Sequence, residues 1–107
     1  MTDVAEPDFV PIVKRSYSAF YATDLEVELR RHGRDQLIIV GVFASAGILA
    51  TTFDAFARDI QCLVGIESTA DYTAHQHRIA LNLIASLTGR VTSSGNLLHD
   101  RRGGPLD

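Results

Sequence analysis

The sequence predicts an α/β protein in which a parallel sheet of about four strands carries helices on both faces, a three-layer, Rossmann-like arrangement. Two observations predict this class. The runs Leu37–Gly41 and Gln61–Ile66 are apolar without alternation, which is typical of strands buried on both faces of a parallel sheet. Segments with helical spacing of apolar residues separate such runs, so the predicted order is β-α-β-α-β-α-β with right-handed crossovers.

Three helices are predicted from the spacing of apolar residues, and they cover Asp24–Arg31, Ile48–Asp59 and Ala74–Leu87. Thr23 with Glu26, and Thr73 with Gln76, match the capping-box pattern at the start of the first and third helices. The second helix is apolar enough that we expect it to be mostly buried. Gly33 is a suitable residue to end the first helix.

Two further strands complete the predicted sheet. Phe9–Lys14 is the first strand, and Pro11 places it at an edge because proline cannot donate a ladder hydrogen bond. Arg90–Thr92 is the last strand, and a short helical turn over Ser94–His99 follows it. The carboxyl ends of parallel strands meet at one edge of the sheet, which here gathers Lys14, the Val42–Gly47 turn, Glu67 and Ser93.

Composition limits the class of protein and of partner. The chain has 107 residues, enough for one domain, which we expect over residues 9–99 between a flexible lead-in (1–8) and a flexible tail (100–107). The net charge of -3 argues against nucleic acid and anionic membranes as partners. No apolar run reaches the roughly 18 residues that cross a bilayer, and the acidic N-terminus lacks the features of a signal peptide.

The single cysteine, Cys62, excludes an internal disulfide and favours a reducing cytoplasm. It falls inside a predicted buried strand, where thiols are mostly inert. The four histidines do not combine with it at metal-ligand spacing, and His75 and His77 fall on different faces of one helix. We therefore expect neither a metal nor a cofactor, and we assign Asp54 and Glu67 to ion pairs and caps.

The Val42–Gly47 turn is the strongest candidate for a site, because it joins a buried strand to a helix through small residues. Its N–H groups and the positive end of the helix would face a ligand, although a tight packing turn needs the same small residues. Lys14 could hold a carboxylate or polarise a reacting oxygen there, or lie in solvent as most lysines do. Ser45 lacks the flanking glycines of a nucleophile elbow.

Several stretches together resemble the isochorismatase-type hydrolases, over nearly the whole chain from about Phe9 to Leu98. The matching segments are Lys14–Phe20 with Thr23–Leu25, Gly33–Leu37, Gly41–Ala44, Gly47–Leu49, Asp54–Phe56, Arg58–Gln61, Ala70–Tyr72, His77–Arg78 and Val91–Thr92. The combination is more specific than any one of these motifs.

The resemblance implies a lysine and an aspartate as catalytic residues, with a nucleophilic cysteine in the amidase branch. The lysine matches Lys14, and the cysteine position matches Gly47. A glycine there resembles the branch that hydrolyses the vinyl ether of isochorismate or a close relative and releases pyruvate, with an aspartic acid protonating the enol ether carbon. The family also tends to have a cis peptide bond that would fall at Val42–Phe43. The substrate-binding residues that we expect are Tyr17, Phe20, Val42, Phe43, Ala44, Ser45 and Gly47.

The sequence departs from the family at Ser45, where a histidine is usual, and at Arg15–Ser16, where a tryptophan–arginine pair is usual. It also lacks the family's first half, which carries the aspartate. One hypothesis is therefore a hydrolase subunit completed by a complementary chain, and the alternative is a catalytically inactive truncated homolog that acts as a binding or structural partner. A third, weaker hypothesis is a small anion-binding α/β module. Because half a domain would expose apolar sheet surface, we expect an obligate oligomer, either a homo-oligomer or a complex with the complementary subunit.

Overall fold

A computed structural model describes residues 10–97 of the chain, and its core is a sheet of three parallel strands in the order β1-β2-β3. The parallel α/β architecture predicted from the sequence is confirmed. The elements are α1 (Leu25–Arg31), β1 (Gln36–Val42), a π-helical turn (Ala44–Ile48) that continues into α2 (Leu49–Ala57), β2 (Gln61–Ala70), α3 (Ala74–Leu87), β3 (Arg90–Thr92) and a 3₁₀ turn (Ser94–Asn96).

The predicted first strand is wrong for the residues that the structure describes, because Val10–Lys14 is irregular. Pro11 has no N–H to donate, and the Lys14 side chain turns back to the carbonyls of Ser16 and Tyr17, both at 2.8 Å. The segment therefore curls toward the following loop, and the sheet has three strands rather than four over residues 10–97.

Helix α3 has the predicted bounds, since Thr73 accepts a hydrogen bond from the Gln76 N–H at 3.0 Å as its N-cap. The capping box predicted for α1 is wrong. That helix is preceded by Asp24, which makes no side-chain cap, and Glu26 pairs with Arg58 at 2.9 Å instead. A nearby guanidinium outcompetes a backbone N–H for this carboxylate because the charged pair is the stronger interaction.

Most of the core lies on one face of the sheet, and Leu63 of β2 is fully buried on the other. Leu37 and Ile39 of β1 share the first face with Cys62 and Val64 of β2, and two apolar clusters formed with all three helices cover it. On the opposite face Ile38 is 40% exposed, so the expectation that β1 is buried on both faces is wrong. Within 10–97, β1 is an edge strand, and Val40 is also exposed (59%).

Helix α2 packs through small residues rather than through its aromatic ones. Thr52 and Ala55 are fully buried, whereas Phe53 and Phe56 are 45% and 61% exposed. The expectation that this helix is mostly buried is therefore wrong. The small side chains allow α2 to approach α3 closely, and the Thr88 hydroxyl donates to the Thr52 hydroxyl at 3.0 Å.

A slip in strand register shapes the carboxyl edge of the sheet. Ile39 lies opposite Val64, but Gly41 lies opposite Thr69, so β2 advances five positions while β1 advances two. The slip lengthens β2 to Ala70, beyond the predicted Ile66, and brings its end beside the end of β1. Among the helices that the structure describes, none is both long and apolar enough to cross a bilayer.

Candidate active site

Lys14 and Gly47 lie together beside the carboxyl end of β1. A Cβ atom at Gly47 would be 3.1 Å from the Lys14 Nζ and 3.3 Å from the Tyr17 carbonyl oxygen. The ammonium donates to the carbonyls of Ser16 and Tyr17, each at 2.8 Å, and these bonds fix its position next to the glycine. Two of its three donor directions are thus used, and one remains for a ligand.

The turn after β1 has the form that an anion site needs. The Val42–Phe43 peptide bond is cis, as the family resemblance implied. The Phe43 carbonyl then accepts from the N–H groups of Ala46 (3.1 Å) and Ile48 (3.3 Å), which starts the π-helical turn leading into α2. The amino end of this helical segment favours negative charge, and the Asp71 carboxylate occupies it by accepting the Ser45 N–H at 2.6 Å.

A cavity of about 330 Å³ opens beside Lys14 and Gly47. Most of the described residues that line it are apolar residues of β1, among them Ile38, Val40 and Val42, and Lys14 is the only ionisable one of this described set. The volume is at the lower end for small-molecule sites. An apolar cavity with a single cation suits a small acid whose body is a hydrocarbon ring.

Comparisons with known proteins identify the family of this chain. The isochorismatase domain family matches residues 2–96. This chain belongs to the isochorismatase family. It is 40% identical over 93 residues to enterobactin synthase component B of Escherichia coli, covering 87% of this chain and 33% of that protein. It is also 39% identical over 92 residues to phenazine biosynthesis protein PhzD1 of Pseudomonas aeruginosa, covering 86% of this chain and 44% of that protein.

Solved structures of the isochorismatase family show the same fold. An isochorismatase family protein from Desulfovibrio vulgaris superposes with a TM-score of 0.82 at 27% identity, covering 90% of this chain and 50% of that one. The nicotinamidase SaPncA from Staphylococcus aureus gives a TM-score of 0.78 at 30% identity, with 82% and 57% covered. The chain thus spans between a third and somewhat more than half of the relatives compared here.

The residues predicted to bind substrate fall in different places. Val42 and Gly47 line the cavity of Lys14. Tyr17 is 67% exposed and contributes its carbonyl to the lysine. Phe20 is a core residue at 5% exposure, packed under the Arg58 guanidinium, and it lines a different cavity, so the structure does not bring it to Lys14.

The other three predicted residues form the turn itself. Phe43 is 36% exposed and stacks on Tyr72, with ring centroids 4.2 Å apart and an interplanar angle of 8°. Ala44 is fully buried. The Ser45 N–H donates to the Asp71 carboxylate at 2.6 Å, so this amide already has an acceptor within the chain.

Asp71 and Tyr72 are the site residues that the sequence-based analysis missed. The hydrogen bond from Ser45 holds the pKa of the Asp71 carboxyl below its usual range, and the charge of His77 adds to this. A polar residue directly after a strand at the carboxyl edge of the sheet was the available indication. Glu67 serves as a cap, as predicted: it accepts the Ser94 N–H at 2.6 Å, and this bond lowers its pKa.

The titratable residues do not gather into a metal site in the part of the chain that the structure describes. His77 contacts the Thr69 hydroxyl through Nε2 at 2.9 Å, and Asp54 pairs with Arg58 at 3.6 Å. Cys62 is fully buried, and burial raises the pKa of its thiol to about 12. These contacts and this burial support the fold.

Proposed function

We propose that this chain forms part of a hydrolase that cleaves the vinyl ether of isochorismate or a related chorismate-derived acid and releases pyruvate. The observation that carries the proposal is the ammonium of the exposed Lys14, which is held against a glycine beside an apolar cavity at the carboxyl end of β1. Relatives named isochorismatase and phenazine biosynthesis protein support this substrate class.

The reaction needs a proton donor, an anion site and water. A proton adds to the terminal vinyl carbon, water adds to the oxocarbenium carbon that results, and the hemiketal collapses to pyruvate and a ring alcohol. The slow step creates positive charge on the substrate, so the acid must lie close to the vinyl carbon. A carboxylic acid meets this need if an apolar cavity keeps it protonated.

Lys14 is proposed to bind a substrate carboxylate with its remaining N–H direction. The hydrogen bonds to Ser16 and Tyr17 orient the ammonium before the substrate arrives, which reduces the entropy lost on binding. Gly47 leaves the space that a side chain would fill.

The catalytic aspartate is proposed to come from polypeptide outside this chain. Among the described residues that line the Lys14 cavity there is no carboxylate. The outer edge of β1 is unpaired over residues 10–97, and such an edge is a ready template for another strand. We therefore propose either a homo-oligomer or a complementary subunit that carries the family's first half, acting in the cytoplasm on a small acid without a cofactor.

The test is release of pyruvate from isochorismate, measured with lactate dehydrogenase and NADH. The chain is assayed alone and with a polypeptide comprising the part of an isochorismatase relative that precedes the matched region. We expect pyruvate only with the second polypeptide, and Lys14→Ala should lower kcat/KM by about 10²–10³-fold because an oriented cation is lost.

The matched control is Arg15→Ala, which removes the neighbouring exposed cation and should leave the rate close to that of the wild type. Equal rates for the wild type and Lys14→Ala would show that the lysine has no catalytic role. A completed assembly that binds but forms no pyruvate would favour the inactive homolog.

A further inference from the structure

Asp71 and Tyr72 connect the end of β2 to the turn that follows β1. The Asp71 carboxylate accepts two backbone hydrogen bonds, from the Ser45 N–H at 2.6 Å and from the Tyr72 N–H at 2.8 Å. The Tyr72 ring stacks on Phe43 at a centroid distance of 4.2 Å. Two adjacent residues therefore hold the turn on both sides of Ala44.

The register slip puts these two residues level with the turn. Without it, the offset between Ile39 and Val64 would continue and place Glu67 opposite Val42. With the slip, Ala70 lies opposite Val42, so Asp71 follows beside Phe43. The extra length of β2 thus has a definite consequence, which is contact between the two loops at the site edge.

The Asp71–Tyr72 pair is itself anchored from both sides. Immediately after it, Thr73 caps α3 by accepting the Gln76 N–H at 3.0 Å. Two residues before Asp71, the Thr69 hydroxyl donates to the Gly65 carbonyl and contacts His77 of α3 at 2.9 Å. Because the pair lies between fixed points, it can hold the turn in place rather than move with it.

We propose that Asp71 and Tyr72 are positioning residues that hold the Phe43–Gly47 turn against the Lys14 ammonium without touching the substrate. The Cβ position of Gly47 is 3.1 Å from Nζ, so a shift of about an ångström would remove the approach between turn and cation. Displacements of that size cost up to about 10²-fold in rate in enzyme sites. The catalytic consequence rests on the proposed function, whereas the positioning does not.

The experiment uses a reporter thiol introduced by Gly47→Cys, whose pKa is measured from the pH dependence of alkylation by iodoacetamide. Next to the Lys14 ammonium this thiol should titrate below the usual value of about 8.5. Adding Lys14→Ala should return it to that value, and adding Asp71→Ala should do the same because the turn moves away. The thiolate fraction at pH 7 should fall by about tenfold in both cases. Cys62 does not interfere, since its thiol is fully buried.

The direction in which Asp71→Ala changes the reporter pKa shows whether Asp71 acts by holding the turn in place or by its own charge. Removing the Asp71 negative charge would by itself lower the reporter pKa, so a raised pKa can only come from movement of the turn. Asp54→Ala is the matched control, because Asp54 is an exposed carboxylate on α2, paired with Arg58, and it should leave the reporter unchanged. Tyr72→Phe keeps the stacked ring and should also leave it unchanged, whereas Tyr72→Ala should raise the reporter pKa.

Backbone amide exchange shows whether a substitution releases only the turn or unfolds the whole domain. In Asp71→Asn and Asp71→Ala, the Ser45 amide should exchange at least about tenfold faster, while the Val64 amide in the centre of the sheet keeps its protection. A reporter pKa that is the same with and without Asp71, or that is not lowered to begin with, would overturn the proposal.

The pyruvate assay separates the two proposals. In an assembly that forms pyruvate, Asp71→Asn should lower kcat by about tenfold or more with little change in KM, and an unchanged kcat would refute the catalytic part. If the wild-type assembly forms no pyruvate, the proposed function fails, while the reporter pKa still decides whether Asp71 positions the turn.

Discussion

The Lys14 ammonium lies where a side chain of residue 47 would point, since Nζ is 3.1 Å from the Cβ position of Gly47. These residues are 33 positions apart in the sequence. Their contact forms because the irregular segment before α1 folds over the turn after β1, and the lysine hydrogen bonds to Ser16 and Tyr17 hold it there.

Substitution of Gly47 by alanine should separate activity from stability. The new methyl group would crowd Nζ and the Tyr17 carbonyl, so we expect pyruvate formation in the assembled enzyme to fall by about tenfold or more. The free energy of unfolding, from urea titration, should change by less than about 1 kcal/mol, because alanine is favoured over glycine in a helical segment. Gly95→Ala is the control, because no atom lies within 4 Å of its Cβ position, and it should leave both activity and stability unchanged. Full activity in Gly47→Ala would show that the space beside Gly47 is not used by the substrate.

Gly65→Ala should destabilise the fold. A Cβ there would lie 2.7 Å from the Ser94 hydroxyl, 2.9 Å from the Ser68 hydroxyl and 3.1 Å from Leu97 Cδ1. We expect a loss of about 1–3 kcal/mol in the free energy of unfolding, as for other overpacked sites. Adding Ser94→Ala should restore part of the loss by removing the nearest atom. A urea midpoint equal to that of the wild type would contradict the packing described for this strand.

The stability of the chain should fall in acid through Asp71 and Glu67. Hydrogen bonds from Ser45, its side chain foremost, lower the pKa of the Asp71 carboxyl in the folded state, and the Ser94 N–H lowers that of Glu67. Carboxyl groups with depressed pKa values stabilise the fold fully above their unfolded pKa values, which are about 4. This stabilisation is lost as the pH falls through the folded pKa values. Urea midpoints between pH 7 and pH 3 should therefore decline less in Asp71→Asn than in the wild type. Parallel curves would contradict the assignment.

The chain alone should self-associate. The outer sides of α2 and α3 expose Phe56 (61%), Leu83 (41%) and Leu87 (54%), and β1 exposes Val40 (59%) beside its unpaired edge. Apolar surface of this extent is unusual on a monomer. We expect sedimentation at micromolar concentration to show oligomers, and Leu83→Glu to weaken them more than Ser86→Glu on the same helix. A strictly monomeric wild-type species would refute the expectation.

The sequence by itself was sufficient for the elements with strong local determinants. Helix α3 begins and ends where Thr73, Gln76 and the apolar spacing predicted, because capping and helical periodicity act over a few residues. The continuous apolar runs predicted a parallel sheet correctly, and the resemblance placed the cis bond at Val42–Phe43. These features depend on short stretches of chain.

Only the tertiary structure decided which surfaces are covered and which loops meet. The apolar run of β1 looks the same in the sequence whether or not a layer covers Ile38 and Val40, since burial depends on residues distant in the chain. The contact between Ser45 and Asp71 depends on a register slip of β2 against β1, which no local pattern encodes. The irregular course of Val10–Lys14 has the same origin: a strand forms only where a partner strand offers its backbone, and over residues 10–97 the outer edge of β1 pairs with none.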